Sequence, residues 1–523
     1  MTFEDGRRST LLAQPRLRVW AALALAGVLA APFFLVDMPP VLDYPNHLAR
    51  FMVLAHPGDP ALSAMYAPHW ALLPNLGADI LGVLLLKVAP LHVGGRLVLA
   101  IAMFAPVVGI NLYSRVAFGR WSWWPLASAL AAYNGAFLMG FMSFLLSMGV
   151  AFAGAALWLK LRQKSHVWLS AAVGAVAMAA AFICHLFGVA VMALLIGARE
   201  GEDLIALWRK AGRPPYAEAA RRAALLAVTA CPTVILFLSS GLAGAPPAPH
   251  QWDAGHKVWD LFTAFMSYSR LLTLVTGLFV FVVVILGWRG ARFAPGARLA
   301  LALGALVYVL EPNALQTGSF VDLRVGLILG FLLFAGVQPR IAPRAALVCA
   351  VAVAALIGCR VGDIGLGWLH HRVDLADVRR AIAQVPQGAR VLVARGPAIG
   401  PGPAERLLPG VYATDGHVSA LLAIERKAFW PLIFADPRQQ PLAILPPYAS
   451  LAAPLSEPVG WSALAKSSFS ADDLAAFGNL KGWREAYGYV LLVDAEGAGP
   501  PPAGLQTLYA GSYARLYRTP RGM

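Results

Sequence analysis

Between residues 19 and 362 the chain repeats one pattern, apolar runs of about 15 to 22 residues separated by short basic loops. A helix needs about 20 apolar residues to cross the hydrocarbon core of a bilayer. Lipid offers backbone groups no hydrogen bonds, so each run must satisfy its own. The recurrence therefore predicts a polytopic α-helical membrane protein. Composition agrees: 13% of the residues are charged and 59% hydrophobic, whereas soluble domains carry about a quarter charged residues. After residue 362 an ordinary mixture of charged, aromatic, Pro and Gly residues returns. The chain thus divides into a transmembrane part, 1–362, and a C-terminal α/β domain, 363–523, of ordinary domain size.

Apolar length predicts spans at about 19–36, 97–117, 123–139, 142–160, 167–184, 186–204, 223–241, 267–288, 299–311, 323–338 and 345–361. The first follows Arg7, Arg8, Arg16 and Arg18 and reads as a retained signal anchor rather than a cleaved signal. Residues 37–95 form a long first outer loop. Within it "LGADILGVLLLKVAP" carries Asp79, Lys87 and a flanking proline, which suits a helix lying along the membrane surface. Basic residues test the map, because they collect on the cytoplasmic side. Of the 27 Lys and Arg residues before position 363, 20 fall in segments assigned to the cytoplasm. Making the surface helix a full span would invert that distribution. Eleven spans put the N-terminus in the cytoplasm and the C-terminal domain on the opposite, periplasmic side of a bacterial inner membrane.

The same distribution accounts for the net charge of +15 without a nucleic-acid partner. Cys184, Cys231, Cys349 and Cys359 lie in or beside apolar runs with no CxxC spacing, so small core residues are expected, with pairing at an oxidising face as the alternative, and no metal site. There is no GxGxxG, Walker or GxSxG sequence to suggest nucleotide binding or hydrolase chemistry.

Polar residues gather at one set of span ends. "VLDYPNHLAR" brings Asp43, Tyr44, His47 and Arg50 just past the first span. Tyr133 and Asn134, His185, Glu311, Asp322 and Arg324 stand at the same outer boundary, while the cytoplasmic ends carry basic residues alone. That asymmetry predicts a site at the outer membrane surface. A carboxylate can serve as a general base and a guanidinium can grip phosphate oxygens in a bidentate fork. Each residue also has a structural alternative. Asp43 would cap a helix beginning at Tyr44, His47 would make a structural hydrogen bond, and Arg324 would pair with Asp322 or Glu311. Asn134 and His185 would satisfy backbone groups at helix ends.

In the C-terminal domain "DLADVRRAIAQVP" reads as a helix capped by Asp374 and stopped by Pro386. "ARVLVARG" and "YGYVLLVDA" read as strands, "ADDLAAFGNL" as a helix, and "TLYAGSYARLYRT" as a hairpin turning at Gly511 and Ser512.

The whole chain resembles the GT-C superfamily of integral-membrane glycosyltransferases. The likeness lies in a first span, a long outer loop opening on an acidic residue in "LDYPNHLAR", a bundle of about eleven spans, and the tail "EAYGYVLLVDA…YAGSYARLYR". The resemblance implies transfer of a sugar from a polyprenyl-phosphate donor to a glycan, lipid or protein acceptor at the outer face of the membrane. Asp43 would be catalytic, and Arg324, Arg50, His47, Tyr44, Asn134, His185, Glu311 and Asp322 would bind substrate. No cofactor follows from the residues. Asp43 is followed by Tyr44 and Pro45 rather than a second acid, and a divalent metal stays open. The alternatives are a non-catalytic membrane protein of the same fold, a transporter, or a polysaccharide ligase. No internal repeat and no ionisable residue at a span centre favours transport.

Overall fold

Seven helices among the described residues are long and apolar enough to cross a membrane. The computed structural model describes residues 15–244, 252, 254–314, 319–397, 406–408, 412–454, 456–466, 468–477 and 480–520; Arg7 and Arg8 lie outside them. In chain order the helices are α1 (Pro15–Ala30), α2 (Tyr44–Ala55), α3 (Pro60–Ser63), α4 (Gly77–Leu86) and α5 (Leu91–Phe118). Then come α6 (Gly135–Leu138), α7 (Met142–Gln163), α8 (Val167–Cys184), α9 (Leu186–Ala211) and α10 (Tyr216–Leu238). The rest are α11 (Ala254–Asp260), α12 (Arg270–Gly287), α13 (Ala297–Leu310), α14 (Val321–Gly336), α15 (Pro343–Ile382) and α16 (Leu421–Arg426), with shorter turns beyond. Ten of the expected spans coincide with helices. The stretch "LGADILGVLLLKVAP" becomes α4, whose ten residues reach only about 15 Å.

The expected span at 123–139 is not an α-helix. Residues Trp124–Ala131 form a 3-10 helix, and α6 adds one turn after Asn134. This irregular stretch is buried in the bundle, where protein rather than lipid can satisfy its backbone. Arg360 of α15, itself 2% exposed, donates to the carbonyls of Tyr133, Phe265 and Met266. The cysteines also depart from expectation. Cys231 and Cys359 are exposed and none of the four is buried, because their helices turn those faces outward.

The helix that carries the last apolar run does not end at residue 362. It continues as one helix, α15, for 40 residues, so the step in composition falls inside a helix. Asp374 is therefore no cap. It lies in the helix interior and holds Arg406 through two contacts of 2.7 Å. Further along, Asp377 Oδ2 accepts from the amides of Tyr513 and Ala514 at 2.9 Å each. These acids fasten α15 to a five-stranded sheet. Its spatial order is Gln506–Ala510, Arg515–Arg518, Tyr489–Val493, Val391–Arg395 and Val459–Gly460. The two expected strands and the hairpin at 511–512 are all present.

The first loop packs into this C-terminal unit. Tyr66–Pro68 pairs antiparallel with Leu442–Ile444, Lys427 Nζ lies 2.6 Å from Asp59, and Arg379 bridges Asp37 and Glu425 at 2.6 and 2.8 Å. The amphipathic helix α2 lies beneath, buried from Tyr44 to Leu54 against α4 and α16.

Candidate active site

Asp43 ends the link between the first helix and α2. Its own amide donates to the Met139 carbonyl at 3.2 Å, and the neighbouring Leu42 amide donates to Leu138. This close approach needs a glycine at 140. Gly140 has φ of +87°, and a β-carbon there would sit 2.9 Å from the Asp43 β-carbon. L-residues with side chains rarely adopt such a backbone.

The Asp43 side chain makes no capping bond to α2, so it is not the helix cap that the sequence allows. Instead Oδ1 lies 3.3 Å from His417 Nε2. The carboxylate keeps 18% of its surface exposed, while His417 is nearly enclosed at 7%. His417 comes from the C-terminal unit, in "TDGHVSA", and carries no motif that would have singled it out.

Asn46 settles which imidazole nitrogen holds the proton. Its Oδ1 accepts from the Phe434 amide at 2.7 Å, and its Nδ2 donates to the Leu432 carbonyl at 2.9 Å. The amide is thereby oriented, and Nδ2 lies 3.3 Å from His417 Nδ1. An amide N–H can only donate, so Nδ1 is the acceptor and the proton of neutral His417 sits on Nε2, facing Asp43. The ring is held edge-on by Trp430 and Phe434.

Arg324 is within electrostatic reach of Asp43. Its guanidinium lies 4.4 Å from the centre of the Phe141 ring, with Phe144 and Phe187 also within 6 Å. It donates to the Ser319 carbonyl, while its buried Nε has no partner. Asp43 is the carboxylate that acts on it electrostatically. No ion pair joins Arg324 to Asp322 or Glu311, so the pairing alternative does not hold.

The other sequence-derived residues separate into structural roles. Arg50 is not free to take a substrate. It is 1% exposed and locked to Asp79, itself fully buried, at 2.6 and 3.1 Å. Arg50 also donates to His47 Nδ1 at 2.9 Å. Burial first, then the charge of Arg50, holds His47 well below the ordinary imidazole range, so His47 is a neutral acceptor. The Tyr44 hydroxyl is buried against Gly95, where a β-carbon would come within 2.4 Å. Asn134 caps α6 by accepting from the Phe137 amide at 3.0 Å. His185 caps α9 by accepting from Phe187 at 3.2 Å. Glu311 and Asp322 form a second group with Lys257 and Asp260. Lys257 Nζ lies 3.8 Å from Glu311, and Asp322 acts on Asp260. Among the described residues no cluster of His, Cys, Asp and Glu could hold a metal ion.

Two solved structures are similar to the chain. Arabinofuranosyltransferase AftD from Mycobacteria is 16% identical with a TM-score of 0.45, the match covering 96% of this chain but 40% of AftD. ArnT from Cupriavidus metallidurans, solved bound to undecaprenyl phosphate, is 13% identical with a TM-score of 0.48, covering 95% of this chain and 98% of ArnT. The chain thus spans less than half the length of the first. At these scores neither decides the chemistry, which rests on this chain's own residues. The sequence matches no family model and no curated protein.

Proposed function

We propose that the chain is a membrane glycosyltransferase that moves a sugar from a polyprenyl-phosphate donor to a hydroxyl acceptor, with Asp43 as general base. The observation that carries this reading is the part-exposed Asp43 carboxylate, faced by the Nε2–H of His417 and in electrostatic reach of Arg324. Asp43 accepts the proton of the acceptor hydroxyl as its oxygen bonds to the sugar C1. The C1–O bond to phosphate breaks, and the electron pair leaves with the polyprenyl phosphate. Arg324 faces that leaving anion, its fork oriented by the three phenylalanine rings. His417 is a positioning residue that holds one carboxylate oxygen and leaves the other for the acceptor.

The membrane part spans 1–362 with 37–95 as its first outer loop, eleven segments cross, and the C-terminal domain lies outside. The split of basic residues supports this, as does the packing of that loop onto the C-terminal unit through Leu442–Ile444 and Lys427. The acceptor is a lipid, glycan or protein of the cell envelope.

Donor binding tests the reading. Undecaprenyl phosphate added to the detergent-purified protein should raise its melting temperature, because a ligand that binds only the folded state stabilises it. Arg324→Lys should lose most of that rise, since a point charge lacks the bidentate fork. An equal rise in Arg324→Ala would remove Arg324 from the site.

A further inference from the structure

At the opposite, basic end of the bundle lies a groove between α1, α12 and α15. It encloses about 1250 Å³, more than the roughly 300–1,000 Å³ typical of small-molecule pockets. Its walls are apolar, with Leu25 from α1, Val283 from α12 and Val353 from α15. Its rim carries Arg120, Arg292 and Arg340 beside Trp123.

The three arginines come from three separate segments that the fold ties together. Arg292 stands opposite Gln338 in a short antiparallel pair. Gln338 Nε2 donates to Ser122 Oγ at 3.0 Å, which brings the Arg120 turn alongside. The Arg340 amide donates to Gly287 at 3.1 Å, and its side chain crosses Gly290 so closely that a β-carbon there would lie 2.5 Å from Cδ. All three side chains are exposed, and among the described residues no carboxylate pairs with any of them. Three guanidiniums gathered at the rim of an apolar trough need both an anion and a hydrocarbon chain to complete them.

We propose that this groove is a binding site for an anionic phospholipid, its phosphate at Arg120, Arg292 and Arg340 and one acyl chain along α15. A soluble phosphate would satisfy the rim and leave the walls bare, whereas a zwitterionic lipid would fill the walls and leave the charge uncompensated. Basic pockets between membrane helices on the cytoplasmic side bind acidic headgroups on this principle, and tryptophans such as Trp123 sit at headgroup depth. The site is remote from Asp43 and does not depend on the transferase reading.

Native mass spectrometry of the full chain, titrated with dioleoylphosphatidylglycerol or dioleoylphosphatidylcholine, tests it. One tightly held phosphatidylglycerol is expected, with phosphatidylcholine binding far more weakly. Replacing all three arginines by Gln should weaken the phosphatidylglycerol complex about 100-fold, at roughly tenfold or less per charge. Val353→Trp, which fills the trough and keeps the charges, should also expel the lipid. Melting temperature in phosphatidylcholine reports whether each variant folds, and single Arg340→Gln serves if the triple variant does not. Equal retention of the two lipids, or parental retention by a folded arginine variant, would overturn the proposal. So would displacement of the lipid by millimolar inorganic phosphate together with unchanged binding to Val353→Trp, which would mark a soluble-anion site.

Discussion

His417 Nε2 lies 3.3 Å from Asp43 Oδ1, joining the first outer loop to the C-terminal unit across more than two thirds of the chain. Asn46 makes the contact directional by holding the amide N–H toward His417 Nδ1. The candidate site is thus assembled between two parts of the protein, and neither part holds it alone.

His417→Ala should lower sugar transfer about 10²-fold, the order of loss that follows from misplacing a reacting group by about an ångström. His417→Gln, whose amide can still donate toward Asp43, should recover part of the rate. The comparison is made at matched melting temperature. Equal loss in both variants would indicate that His417 only fills space.

Gly140→Ala should act on the same carboxylate from the other side. The new methyl would meet Asp43 at 2.9 Å on a backbone with φ of +87°, so the Asp43 link must move. Transfer should fall about 10²-fold while binding of polyprenyl phosphate persists. Parental transfer would show that Asp43 tolerates displacement.

Arg50 separates structure from chemistry. Removing one member of a buried ion pair costs about 3–5 kcal/mol, whereas replacing both by apolar residues can be neutral. Arg50→Ala should therefore lower the melting temperature strongly. Arg50→Met with Asp79→Leu should recover much of the loss and leave binding of polyprenyl phosphate unchanged. A folded double variant that no longer binds it would return Arg50 to the site.

The acidic group at the end of α11 predicts a pH dependence. Burial, then the neighbouring Asp322 carboxylate, push Asp260 up to about 7, above its value in the unfolded chain. The folded state therefore holds this proton more tightly. The contribution is fully present below about pH 4 and is lost as pH rises through about 7. Asp260→Asn, which stays neutral, should flatten the fall in melting temperature between pH 5 and 8. An unchanged slope would mean that Asp260 is ionised throughout.

Most of the helices were legible because a membrane helix announces itself by apolar length. The return at 123–139 was not, because hydropathy counts apolar residues and says nothing about backbone form. Arg360, which donates to Tyr133 in that return, reads in sequence as one more basic residue. Asp374 resembled a cap because polar residues begin there. The chain has no proline between Pro343 and Pro386, so nothing stops the last span from running on as helix. Asp43 and Arg324 could be picked out from their positions at span ends. His417 could not, since its meaning depends on Asp43 and Asn46, which only the fold brings near. Arg50 misled for the converse reason: Asp79, 29 residues along the same outer loop, neutralises it once α2 packs on α4.

Asp43→Asn removes the proposed base while keeping the shape of the side chain. Asn nearly matches Asp in size but cannot take a proton, and the native side chain caps nothing, so the fold should persist. In cells lacking their own copy, the parent protein and the Asn variant are expressed to equal levels, and envelope lipids and glycans are compared by mass spectrometry. Loss of a positioned base predicts a fall of about 10² to 10⁴ in the rate of transfer, seen as disappearance of the glycosylated product at unchanged melting temperature. Parental product from the folded Asp43→Asn protein would contradict the account.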